Sequence, residues 1–153
     1  MSDAPARQPS SSSPHAPATA ADVMRPALTT VEPDAHLAAA AYLMRHAHTT
    51  SLVVVDDEQA KRPVGLITEA DVVHAVADGQ DVNNARIRDV MTMSPTVINA
   101  RTTIPDAARS MMAGHFRHLP VVDGAGVVGM VDIADVCRAL LDPPTRESAR
   151  PPA

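Results

Sequence analysis

Two short stretches carry acids at a spacing that could do chemistry: Thr68-Glu69-Ala70-Asp71 and Asp132-Ile133-Ala134-Asp135. A hydroxyl or carboxylate followed three residues later by an acid is the pattern of a helix capping box, in which each side chain satisfies a backbone N–H of the other. Capping accounts for these acids without catalysis, and no Ser, Cys or Thr nucleophile sits in a recognisable elbow. His46, His48, His115 and His118 raise the question of a metal. They have no cysteine partners and no H-E-x-x-H spacing, so they read as surface or cleft-lining residues, and no metal ligand is assigned. Gly124-Ala125-Gly126-Val127-Val128-Gly129 has the spacing of a dinucleotide fingerprint. That fingerprint must open a helix after a strand, whereas here strand-like residues lie on both sides and Asp123-Gly124 signals a hairpin turn. The residues point away from an enzyme.

Composition narrows the remaining classes. A net charge of −5 and a pI near 5.7 supply no basic footprint for nucleic acid or an anionic membrane. Tyr42 and Phe116 are the only aromatic residues, which removes the stacking platform of single-strand binders. Lone Cys137 cannot form an intramolecular disulfide; it reads as a small buried apolar residue in a reducing, cytoplasmic compartment. No apolar stretch is long enough for a membrane span or a signal peptide, so a soluble, unprocessed protein is expected. Ala, Val, Leu and Met must build the core, with Met24, Met44, Met111 and Met112 as fillers.

The elements that position these residues follow from an internal repeat. Asp-Val-Met at 22–24 recurs at 89–91, 67 residues later, and Leu37, Ala40, Ala41 and Met44 recur as Ile104, Ala107, Ala108 and Met111. Both sets have the i, i+3, i+4, i+7 spacing of an amphipathic helix. Leu52, Val54, Val55 and Asp56 recur as Leu119, Val121, Val122 and Asp123, still 67 apart; Val64-Gly65 and Val128-Gly129 are 64 apart. The first copy therefore carries three extra residues in a polar turn within 57–62, where insertions cost little.

Each copy reads as strand, helix, two strands, helix. The spacing predicts these near 28–31, 34–47, 52–56, 63–67 and 69–78, then near 96–98, 105–113, 118–122, 127–131 and 133–141. Asp34 is the expected cap of the first helix and Pro105 suits a first helical turn. Gly79 is placed to stop a helix before a linker at 81–88, in which Arg86 and Arg88 read as solvated. Pro- and Ser-rich ends at 1–20 and 142–153 read as disordered tails, leaving repeats at 21–80 and 89–141. One copy is too small to bury both its helix face and its strands, so two α/β halves (α+β in layout) are expected to pack about a pseudo-two-fold axis.

The repeated stretches resemble the paired repeats named after cystathionine β-synthase, the CBS domains of a Bateman module. The resemblance rests on Asp22-Val23-Met24 and Val90-Met91-Thr92, on Leu52-Val53-Val54-Val55-Asp56 and Arg117-His118-Leu119-Pro120-Val121-Val122-Asp123, and on the Gly-h-x-Thr/Ser-x-x-Asp pattern of Gly65, Thr68 and Asp71. It covers essentially all of 21–141 and implies a stand-alone module of two β-α-β-β-α repeats.

The resemblance implies a ligand rather than a cofactor: AMP, ADP, ATP or S-adenosylmethionine in the clefts between repeats. Asp71 would take the ribose hydroxyls and Thr68 the phosphate or ribose, while the strand at Ile67 would offer backbone to the adenine. A carboxylate can accept from two adjacent hydroxyls, and a helix N-terminus beside it favours phosphate, so ribose binding and capping can coexist. Arg117 and His118 would reach phosphates across the cleft; Thr30, Thr50, Ser51 and Pro120 complete the expected contacts. In the second copy Asp132 replaces the Thr/Ser and Asp135 keeps the ribose position, so that cleft should be weak, empty, or selective for an uncharged or cationic ligand. The reading is a non-catalytic sensor that forms a homodimer, and the alternative is a ligand-free dimerisation or protein-docking module.

Overall fold

The chain is described from a computed structural model over residues 16–26, 29–57, 59–124 and 126–142. Of the tails expected at 1–20 and 142–153, residues 1–15 and 143–153 lie outside the described residues. Along the chain run α1 (Ala20–Val23), β1 (Thr30–Val31), α2 (Leu37–Ala47), β2 (Ser51–Val55), β3 (Pro63–Thr68) and α3 (Glu69–Ala77). A single 3₁₀ turn (Ile87–Asp89) leads to β4 (Thr92–Met93), β5 (Ile98–Asn99), α4 (Ile104–Gly114), β6 (His118–Asp123), β7 (Gly126–Asp132) and α5 (Ile133–Leu141).

In the first repeat β1 pairs parallel with β2, and β2 antiparallel with β3; in the second β5, β6 and β7 repeat the arrangement. Each hairpin turns its apolar face onto two helices. Leu37, Met44, Leu52 and Ile67 form one core, and Ile104, Met111, Leu119 and Val131, their repeat equivalents, form the other. A third cluster of Val53, Val55, Val127 and Met130 joins the two halves. Strands rich in β-branched residues, buried on both faces, suit this three-layer arrangement: β2 is buried at every position.

The segment preceding each repeat packs on the opposite repeat. β4 adds to β3 as a fourth strand, with Gly65 opposite Met93, while Arg25 bridges Met130 on β7. Ala20 and Met24 pack in the second core, and Ile87 and Met91 pack in the first. This reciprocal exchange is the pseudo-two-fold relation expected of two similar halves.

The linker is packed rather than loose. Within 81–88 Arg88 stays exposed, but Ile87 is fully buried, and the N–H groups of Leu37 and Ala38 donate to Ala85 and Val82. Those donors are at the start of α2, where helix N–H groups lack intrahelical acceptors. Packing also begins before residue 21, since Ala20 is fully buried and the Ile104 N–H donates to the Ala18 carbonyl. Asp34 does not cap α2, whose N-cap is His36; it pairs instead with Arg88, while Arg86 Nη1 donates to the Asp34 carbonyl.

Other local expectations fare unevenly. Pro105 sits in the first turn of α4 behind the N-cap Thr103, and Gly79 adopts φ 78° just after α3. Cys137 is exposed on α5 and Met112 is 76% exposed, because both fall on the solvent side of helices whose apolar stripe is narrower than hydropathy alone implies. His48 and His115, equivalent in the repeat, are left-handed helix ends at φ 50° and 55°, whose N–H groups donate to Met44 and Met111. Their shared role is to terminate α2 and α4.

Candidate functional site

Thr68 ends β3 and is the N-cap of α3, as its hydroxyl and spacing dictate. Its N–H and its hydroxyl both donate to Asp71 Oδ2 at 2.8 Å, and its Oγ1 accepts from the Asp71 N–H at 3.3 Å. Oδ1 of Asp71 is not engaged by any hydrogen bond among the described residues. The capping box therefore fixes the carboxylate and leaves it spare acceptor capacity.

Thr68 and Asp71 open on a cleft of about 820 Å³ between the repeats. The volume lies within the roughly 300–1,000 Å³ of small-molecule sites. One wall is the first turn of α3 (Glu69 and Ala70) with Leu66; facing it are Arg117 and His118, with Ile133 and Ala134 from the first turn of α5. Two helix N-termini thus border one cavity, and each is a favourable end for negative charge. Thr92, Ser94 and Thr96, carried in by the exchanged segment, form the remaining edge.

The second, pseudo-equivalent cleft is far smaller, at about 190 Å³, and is lined by Arg25, Thr29, Thr49, Ser51, His118 and Asp132 among others. Asp132 caps α5, accepting from the Asp135 N–H at 2.8 Å, and Asp135 accepts in return from the Asp132 N–H at 3.2 Å. Here the acids already have a cation. Arg25 Nη2 donates to Asp132 Oδ2 at 2.8 Å and its Nε lies 3.8 Å from Asp135 Oδ2, while Arg138 Nη1 reaches Asp135 Oδ1 at 3.2 Å.

His118 and Asp132 line both clefts. His118 Nε2 bonds Thr50 Oγ1 at 2.9 Å, tying the repeats together between the cavities. Burial pushes the imidazole below its ordinary pKa; the Asp132 carboxylate opposes this, and Arg117 and Arg25 reinforce it.

The structure brings Thr50, Thr68, Asp71, Arg117, His118 and Asp132 to the large cleft. Ser51 goes to the small one, and Asp135, 6% exposed, stands behind Arg25. Two expected contacts, Pro120 and Thr30, are placed elsewhere. Ile67, expected to offer only its backbone, buries its side chain in the first core, and the side chain on the cleft is Leu66, since neighbours in a strand point to opposite faces. Pro120 is buried in β6 opposite Met130, at the position equivalent to Val53 of the cluster between the halves. Thr30 pairs with Val53 in β1 and lines neither cleft; Thr29 and its equivalent Thr96 do.

Sequence reasoning missed Arg25 and the 92–96 edge, because both depend on the exchange of segments. A signal existed for Arg25: it follows the repeated Asp-Val-Met, where the second copy has Thr92.

Among the described residues no group of three or more His, Cys, Asp and Glu is arranged to hold a metal, and no helix is long and apolar enough to cross a membrane.

Comparison with known proteins agrees with this architecture. A 17.7 kDa protein of Acidianus ambivalens, itself uncharacterised, is 37% identical over 122 residues, covering 79% of this chain and 72% of that protein. The chain spans only about half of two further curated relatives, 46% of the mitochondrial CBSX3 of Arabidopsis thaliana and 49% of a Methanopyrus kandleri protein. Among solved structures, Hypoxic Response Protein I with two coordinated zinc ions superposes with a TM-score of 0.70 at 30% identity, over 79% of this chain and 98% of that one. CBSX2 in complex with AMP gives 0.66 at 30% identity, over 80% and 96%. The CBS domain model matches residues 20–78 and 87–142, the same two halves that exchange their leading segments, and the chain belongs to the CBS domain family.

Proposed function

We propose that the large cleft binds one adenosine-containing ligand and that the protein is a non-catalytic regulatory sensor. The observation that carries this reading is the convergence, on one cavity of about 820 Å³, of Thr68 and Asp71 from the first repeat with Arg117 and His118 from the second. In this reading Asp71 accepts from the ribose hydroxyls, and Arg117 with the first turns of α3 and α5 holds phosphate. Leu66 and Phe116 supply apolar surface for the base. A ligand seated here touches both repeats, so it biases their relative arrangement only through its difference in affinity for the two states. The AMP complex of CBSX2 supports the ligand class.

A homodimer acting in the cytoplasm completes the proposal. A protein-docking reading is favoured by exposed apolar side chains, Val73 and Val76 on α3 and Leu140 and Leu141 on α5. Thermal unfolding with AMP, ADP, ATP and S-adenosylmethionine separates the two readings. A midpoint rise that vanishes in Asp71→Ala establishes the sensor; no rise with any of the four leaves docking as the function.

A further inference from the structure

The two clefts are built from equivalent positions yet differ more than fourfold in volume, about 820 Å³ against 190 Å³. Among the described residues, the residue after Asp-Val-Met is one that differs between the two clefts. Thr92 at the large cleft is short and leaves the space beside Thr68 and Asp71 open. Arg25, its equivalent at the small cleft, extends to Asp132 and Asp135, the equivalents of Thr68 and Asp71. Its backbone is fixed independently of that reach, since its N–H donates to the Met130 carbonyl at 3.0 Å and its carbonyl accepts from the Met130 N–H.

We infer that Arg25 is a built-in occupant of the second cleft: its guanidinium takes the carboxylates that would otherwise face ligand hydroxyls, and restricts the chain to one adenosine ligand. The inference rests on the reading of the large cleft as an adenosine site.

Two observations agree. The acids are satisfied by Arg25, whose side chain is 51% exposed. Ser51, which also lines the cleft, is 3% exposed and its Oγ has no hydrogen-bond partner among the described residues. A buried hydroxyl without a partner is rare, and an occupant with a polar edge would satisfy it. The cleft thus keeps the polar fittings of a ligand site while Arg25 fills its acidic end.

The chemistry defines what a vacated cleft accepts. With Arg25 removed, the Asp132 carboxylate faces the cleft with Asp135, still paired with Arg138, behind it; such acids favour the hydroxyls of an uncharged nucleoside over phosphate. Adenosine is therefore the probe. Arg25→Thr, which copies the arrangement at Thr92, is the primary variant, and Arg25→Ala is the second should the first fail to fold.

Equilibrium dialysis of labelled adenosine against the full chain measures the number bound. We expect one per chain in the native protein, two in Arg25→Thr, and one in Arg25→Thr combined with Asp71→Ala, where the large cleft is disabled. Two per chain in the native protein, or one in a folded Arg25→Thr, overturns the inference and leaves the large-cleft reading standing. Zero in the native protein with one in Arg25→Thr upholds the role of Arg25 and shows that the large cleft does not take the unphosphorylated nucleoside. Zero in both overturns the inference, while the unfolding series with AMP, ADP, ATP and S-adenosylmethionine decides the large-cleft reading separately.

Discussion

Met91 Sδ occupies the space that a side chain on Gly65 would need, and Met24 Sδ does the same over Gly129. Each methionine comes from the segment leading into one repeat, and each glycine lies on the hairpin of the other. The glycines in the family pattern are thus required here by close approach of the exchanged chain, since both have ordinary negative φ.

Gly65→Ala should therefore destabilise the fold by about 1–3 kcal/mol, the usual cost of overpacking. Chemical denaturation measures it. The double variant Gly65→Ala with Met91→Ala should cost less than the sum of the singles, because removing the sulfur removes the clash. Additive losses would show that Met91 does not seat on Gly65.

Ile87 lies in what reads, in the sequence, as a linker, yet it is fully buried. Ile87→Ala should cost about 2–5 kcal/mol, as for a core truncation, whereas a solvated linker position would cost within about 0.5 kcal/mol.

Asp71→Ala removes both a cap partner and the proposed ribose acceptor. Without ligand it should lose about 0.5–2 kcal/mol, the range for a lost helix cap. With ligand at about 100 times its dissociation constant, native protein should gain roughly 2.7 kcal/mol. That gain should be absent in the variant, so the ligand-induced shift, not the midpoint itself, is the readout.

His118 has its imidazole pKa pushed below the ordinary 6.5 chiefly by burial. The unfolded chain therefore takes up a proton at this position before the folded one does. Its contribution to stability is fully present above about pH 6.5 and declines as pH falls toward the lower folded value. Subtracting the pH–stability profile of His118→Gln from that of the native protein should isolate this fall. A difference that is flat between pH 5 and 7 would contradict it.

Much of the fold was legible because its determinants are periodic. The helix stripes from Leu37 to Met44 and from Ile104 to Met111, the paired strands, the hairpin at Gly124 and the capping pairs at 68/71 and 132/135 all follow from local spacing and side-chain chemistry. The repeat offset identified which residues are equivalent, and with it the acids of each cleft. Sequence alone also showed that the second copy carries Asp132 where the first carries Thr68.

The tertiary structure decided which segment completes which half. Exchange between repeats has no local signature, because Ile87 and Ala20 are apolar residues whose partners lie across the molecule. The same exchange brings Arg25 onto Asp132, 107 residues away. Charge complementarity across that separation cannot be read from spacing. At equivalent positions Arg25 reaches the acids of its cleft while the shorter Thr92 lies at the edge of the other, a difference that only the packed structure shows.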